Sequence, residues 1–144
     1  AEEIFTKARE KNVAIIVRVP LASGLLTGKF TEQTTFAGKD HRNYNANGES
    51  FNAGETFSGI KFAKGVDLAR QIATLFPDDR MAQWALRWIL DHPEVTTVIP
   101  GASKISQVIG NVNASALPAL TQETHRQLRA LYDDQIKELI RGHY

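Results

Sequence analysis

The 144-residue sequence has no cysteine. That excludes disulfides, thiolate metal sites and cysteine nucleophiles. It also lacks an excess of charge of either sign: 17 Lys and Arg against 16 Asp and Glu give a net charge of +1. There is therefore no electrostatic reason to expect a nucleic-acid or acidic-membrane partner. No apolar run approaches the ~20 residues that span a bilayer. The opening Ala1-Glu2-Glu3 has no initiator methionine, no basic segment and no apolar core of a secretory signal. It reads as a chain entered partway, or as a processed or engineered terminus. These absences suit a cytoplasmic protein that binds neither nucleic acid nor membrane. The four histidines, His41, His92, His125 and His143, are not spaced as a zinc motif, so no metal is expected. Ser23 sits in no GxSxG elbow, which argues against a hydrolase.

What is present is ordinary for a globular domain, with 42% hydrophobic and 23% charged residues over one domain's length. Residues 1–11 predict a helix with Ile4, Phe5 and Ala8 on one face and Asn12 as its stop. Val13 to Val17 is a continuous β-branched run, the pattern of a strand buried on both faces. A Gly- and Pro-containing loop follows over 18–30. Residues 31–60 show little periodicity but hold Phe36, Tyr44, Phe51 and Phe57. A long irregular stretch with aromatics is expected to be functional rather than disordered.

Helical spacing returns at Phe62, Val66, Ala69, Ile72, Ala73 and Phe76. After Pro77 and the capping pair Asp78-Asp79, a helix over 81–91 places Met81, Trp84, Ala85, Trp88 and Ile89 inward. His92 stands at its end, where a cation complements the helix dipole. Val95 to Ile99 predicts a second strand. Ser103 is the expected N-cap of a helix with Ile105, Val108, Ile109 and Val112 inward. Thr121 is the expected cap of a last helix bearing Leu128, Leu131, Tyr132, Ile136 and Ile140 on its core stripe. Strands separated by helices imply parallel pairing in an α/β fold. Two short strands make a poor sheet alone, so the pattern is that of part of a larger one.

Two segments carry recognisable chemistry. Pro20-Leu21-Ala22-Ser23-Gly24, running on to Thr27, Gly28 and Lys29, leaves the first strand directly. Glycine lets backbone amides converge on an anion, and Ser23, Thr27 and Lys29 add donors. The same residues suit an ordinary turn with a surface lysine equally well. The second segment, Pro100-Gly101-Ala102-Ser103-Lys104, joins a strand end to a helix N-terminus, where unpaired N–H groups favour phosphate. Gln107 and Asn111, four apart, share a helical face and can pair with a purine edge. Alone, this segment reads somewhat better as an N-cap serine, a surface lysine and two solvated amides. Both follow strand ends, the usual ligand side of parallel α/β folds.

PLASGLLTGKF and VIPGASKISQVIGN, flanking ALRWILDHPEV, resemble the aldo-keto reductases over residues 1 to about 135. The resemblance implies the C-terminal portion of a (β/α)8 barrel, helix-rich, with two short parallel strands. It implies NADP(H)-dependent reduction of aldehydes and ketones to alcohols. Carried over by position, Pro20, Leu21, Ala22, Ser23, Gly24 and Lys29 would border the pyrophosphate and ribose. Gly101, Ser103 and Lys104 would hold the 2′-phosphate, and Gln107 and Asn111 would contact the adenine.

Arg18 stands where many members have an aromatic that stacks on the nicotinamide; its planar guanidinium can take that role or form a salt bridge. At Gly110 some relatives carry an acidic residue near the adenine. The family's catalytic Tyr, Lys, Asp and His have no match in this chain, so no catalytic residue is assigned and the chain alone is expected to be inactive. Tyr44, Tyr132 and Tyr144 follow no buried strand and are not substitutes. His41, Arg42 and Tyr44 lie in the long loop that lines the active-site mouth in the family, none being expected to be essential. The expected partners are a small carbonyl substrate and either the complementary half-barrel or a second copy. A non-catalytic nucleotide-binding or regulatory subunit of the same fold is the alternative.

Overall fold

The computed structural model describes residues 2–141; residues 1 and 142–144, His143 and Tyr144 among them, lie outside the described residues. Helix α1 (Glu2–Glu10) ends at Asn12, which adopts the left-handed conformation at φ 52° while the Val13 N–H returns to the Ala8 carbonyl. Asparagine tolerates that conformation, so the sequence signal for the stop is met. Strand β1 (Ile15–Arg18) pairs in parallel with β2 (Val95–Ile99). The register runs Ile15 with Val95, then Ile16 with Thr97, Val17 with Val98 and Arg18 with Ile99. Thr96 is the extra residue of a bulge. Its hydroxyl accepts the Ile15 N–H at 3.2 Å.

Between the strands lie α2 (His41–Tyr44), α3 (Phe62–Ala73) and α4 (Met81–Leu90). After β2 come α5 (Ile105–Asn113) and α6 (Gln122–Leu131). Thr121 caps α6 as expected, accepting the Thr124 N–H. Past Leu131 the last helix loosens into a wide turn over Tyr132–Ile136 and a tight one over Lys137–Leu139.

Two apolar clusters form the core. One joins Ala69, Phe76, Met81, Trp84, Ala85 and Leu120, and packs α3 and α4 beneath α6. The other joins Leu25, Phe57 and Val66, with Phe30, Phe36 and Phe62 around them. Phe36 and Phe57 of the long segment thus join Phe30 and Phe62 in a core of their own, while Tyr44 and Phe51 stay exposed.

Several expectations are corrected. β1 is not buried on both faces: its exposure alternates and Ile16 is 60% exposed, because among the described residues the sheet has one other strand. Ile105, Val108, Ile109 and Val112 of α5 do not point inward; Ile105 is 80% exposed and the other three are exposed. Their spacing is a genuine amphipathic signal, but no described element lies against that face. Trp88 and Tyr132 sit at the surface rather than in the core. Lys104, not Ser103, occupies the N-cap position of α5. Asp78 accepts the Arg80 N–H at 2.9 Å and the Trp84 indole N–H at 2.9 Å, while Arg80 itself stands at the N-cap of α4. Burial, reinforced by nearby His125, pushes His92 below the usual imidazole range, which favours the neutral ring over the expected helix-end cation.

Candidate functional site

The parallel register sets Arg18 beside Ile99, so the segments after β1 and β2 leave the sheet at the same end. The two segments singled out by sequence are neighbours there because of strand pairing, not because of sequence proximity.

The first segment is a strained turn. Val19, Ala22 and Ser23 have φ of 51°, 46° and 55°, and Gly24 has φ 100°. Positive φ at a β-branched valine is an outlier that persists only where its surroundings over-determine it. The surroundings are specific. Pro20 is buried, Leu21 packs against the α3–α4 core, and Leu25 is buried against α3. At Gly65 of α3 an added Cβ would meet Leu25 Cδ1 at 2.8 Å, so that glycine lets the turn seat. Ser23 Oγ donates to the Glu55 carbonyl at 3.1 Å and accepts the Phe57 N–H at 3.4 Å. Gly28 closes the turn with φ 71°. Lys29 is exposed at its end.

Against this turn lies the long segment, organised by buried Asn45. Its side-chain oxygen accepts the N–H groups of Ser50 (2.9 Å) and Phe51 (2.8 Å), and its amide donates to Thr56 Oγ1 at 3.1 Å. Asp40 caps α2 and binds the Arg42 guanidinium at 2.9 and 2.6 Å. That hydrogen bond to Arg42 lowers the Asp40 carboxyl to about 2, against the opposing effect of burial. Arg42 also lies over the Phe36 ring at 4.4 Å. Of the three long-loop candidates, Arg42 is therefore committed to packing and Tyr44 sits edge-on to Phe51 at 6.1 Å. His41 instead lines a cleft of about 630 Å³, together with Arg18, Val19, Ser23, Phe51, Asn52 and Glu55. Arg18 is bound there by both oxygens of Glu55, at 3.2 and 2.8 Å.

The second segment is open. An added Cβ at Gly101 would meet nothing within 4 Å, and Ser103 and Lys104 are exposed. Gln107 Oε1 accepts the N–H groups of Ser103 (2.7 Å) and Lys104 (3.0 Å) and the Ser103 hydroxyl (3.2 Å). Three donors thus converge on one oxygen at this helix start. Gln107 serves the cap, while Asn111 is half-buried one turn on, beside Gly110.

Glu55 and Asn45 escaped the sequence reading. Neither belongs to a periodic pattern; the nearest signal is the Asn and Gly richness of residues 43–54, a mark of side-chain-stabilised turns.

Comparison with known proteins bears on this arrangement directly. The profile of the Aldo/keto reductase family matches residues 1–133. The chain belongs to the aldo/keto reductase family. It is 28% identical over 142 residues to an uncharacterized oxidoreductase of Bacillus subtilis, YqkF, covering 99% of this chain and 41% of that protein. It is 28% identical over 124 residues to a probable voltage-gated potassium channel subunit beta of Oryza sativa, covering 82% of this chain and 35% of that one. Its fold is similar to the glycerol dehydrogenase AKR11B4 of Gluconobacter oxydans, with a TM-score of 0.73 and 26% identity over 94% of this chain and 38% of that structure. The aldo-keto reductase chain thus has the fold of part of a (β/α)8 barrel, as the resemblance implied. It spans about two-fifths of the length of these relatives. No helix among the described residues is long and apolar enough to cross a membrane.

Proposed function

We propose that this chain carries the cofactor-binding part of an NADP(H)-dependent oxidoreductase that reduces aldehydes or ketones to alcohols. One observation supports it most: parallel pairing brings a strained, serine-bearing turn and an open helix start to the same end of the sheet. Parallel α/β folds bind ligands at that end. The residues fit a dinucleotide phosphate. The amides of Ser103 and Lys104 converge on an oxygen already, that of Gln107. A phosphate oxygen has the same acceptor chemistry, and Lys104 adds a cation that suits a phosphate ester better than a free hydroxyl. Gln107 and Asn111 would serve the adenine, the 20–29 turn the pyrophosphate and ribose, and the cleft walled by Arg18 the nicotinamide. Bound there, the cofactor would supply the hydride.

No residue of the chain is assigned to proton transfer. Tyr44 is packed edge-on against Phe51, and Tyr132 lies at the surface where α6 gives way to a wider turn. We therefore assign the catalytic acid to another part of the intact protein, and the exposed faces of β1 and α5 to contact with that part or with a second copy. A cytoplasmic setting fits the absence of cysteine.

The test is fluorescence titration of the intact protein with NADPH and NADH. Lys104→Glu is expected to weaken NADPH by about 10- to 100-fold, the worth of a charge-assisted hydrogen bond, with little effect on NADH. Equal loss for both cofactors would refute the assignment of the 2′-phosphate. The chain by itself is expected to turn over no generic aldehyde with NADPH.

The likeness to a probable potassium channel subunit beta favours a second reading, in which the protein serves as a regulatory subunit of the same fold. Tight NADPH binding by the intact protein, without turnover of any aldehyde in a broad panel, would select it.

A further inference from the structure

We infer that Glu55 is a positioning residue for Arg18, holding its guanidinium plane fixed in the wall of the cleft. The inference rests on the reading of that cleft as the nicotinamide end of the cofactor site. Arg18 and Glu55 are 37 positions apart in the chain, yet pair through the two terminal guanidinium nitrogens and both carboxylate oxygens, at 3.2 and 2.8 Å. Two-point pairing fixes orientation as well as position, since a carboxylate and a guanidinium meet edge to edge in one plane. The flat face of the guanidinium then remains available to a planar ring.

Stability does not account for the pair. The Arg18 side chain is 68% exposed and that of Glu55 35%. Ion pairs so open to water contribute little to folding. The backbone on either side is costly instead. Val19 and Ser23 flank Arg18's side of the seam with positive φ, and Phe57 and Ser58 flank Glu55's side at 51° and 56°. Ser23 Oγ stitches the two strained segments together through the Glu55 carbonyl and the Phe57 N–H. Glu55 is tied further by its own N–H, which donates to the Asn52 carbonyl at 3.0 Å. The carboxylate is thus carried on an anchored backbone and aimed at a single side chain. Strained, over-determined backbone around an exposed ion pair in a cleft is the pattern of a pre-organised site rather than of a stabilising contact.

The test uses the intact protein and two probes: NADPH, and adenosine 2′,5′-bisphosphate, which lacks the nicotinamide. Glu55→Gln is expected to weaken NADPH by about three- to tenfold, as for loss of one hydrogen-bonded pair, and to leave the bisphosphate unchanged. Arg18→Lys should lose as much, and Glu55→Gln with Arg18→Lys no more than either alone. Glu55→Asp, which keeps the charge, should recover part of the loss. Unchanged NADPH binding in Glu55→Gln overturns the assignment, and so does equal weakening of both probes, which would mark a merely structural role. A wild-type protein that binds neither probe sinks the cofactor reading, and the role of Glu55 with it.

Discussion

Asp91 makes the most exacting test of how this chain is held together. It follows α4, its side chain is only 4% exposed, and its carboxylate accepts from three directions. Arg87 donates at 2.7 Å, the Leu120 N–H at 2.9 Å, and His125 lies 3.1 Å away on α6. Asp91 therefore joins α4, the segment before α6, and α6 itself. Removing one partner of a buried ion pair costs about 3–5 kcal/mol, because the other charge stays buried. Arg87 retains contacts to the Ser115 and Leu117 carbonyls at 3.3 and 3.5 Å, which offset part of that. Leaving the Leu120 N–H unpaired adds to it. Together these place Asp91→Ala at about 3 kcal/mol. Combining it with Arg87→Met removes both charges, and the double variant should fall short of the sum of the singles by about 1–3 kcal/mol. Urea unfolding of the intact protein, followed by the fluorescence of Trp84 and Trp88 on the same helix, measures this. An Asp91→Ala loss below about 1 kcal/mol, or strict additivity with Arg87→Met, would refute the reasoning.

Other outcomes follow from the site's own geometry. Asn45→Ala leaves the Ser50 and Phe51 N–H groups and the Thr56 hydroxyl without their partner. It should cost about 2–3 kcal/mol and speed limited proteolysis within residues 46–56, with mapping of the cut sites as the check. Gly65→Ala gains about 1 kcal/mol of helix propensity but drives a Cβ against Leu25, and should be destabilising overall. In a Leu25→Ala background the sign should reverse, as measured by urea midpoint. Asp40, hydrogen-bonded by Arg42, has its carboxyl depressed from 3.8 to about 2. A depressed carboxyl contributes stability above its unfolded value, so this contribution is intact at pH above about 4 and is lost as pH falls towards 2. NMR titration of Asp40 should show that low midpoint in the wild type and a rise towards the ordinary value in Arg42→Gln.

Local pattern was enough for most elements. Helix α3, helix α4, strand β2 and the Thr121 cap follow from spacing and capping chemistry, which act within a few residues. The burial of these elements was less legible. Ile105, Val108, Ile109 and Val112 carry a clear apolar stripe, yet periodicity says only that a face is apolar, not that something in this chain covers it. The long segment is irregular and aromatic in sequence as in structure, but its order depends on Asn45 reaching Thr56 and on four phenylalanines meeting Leu25 and Val66. Such meetings depend on where distant elements come to rest.

The sequence by itself determined the family to which the chain belongs, through the segments 20–29 and 100–111 that are proposed for the cofactor, because glycine, serine and lysine at strand ends are local chemistry. Tertiary structure alone decided that the two segments share one end of the sheet, and that Arg18 is held by Glu55. The first is set by the register between two strands that lie far apart in the chain, and the second by a turn whose strain only packing can sustain.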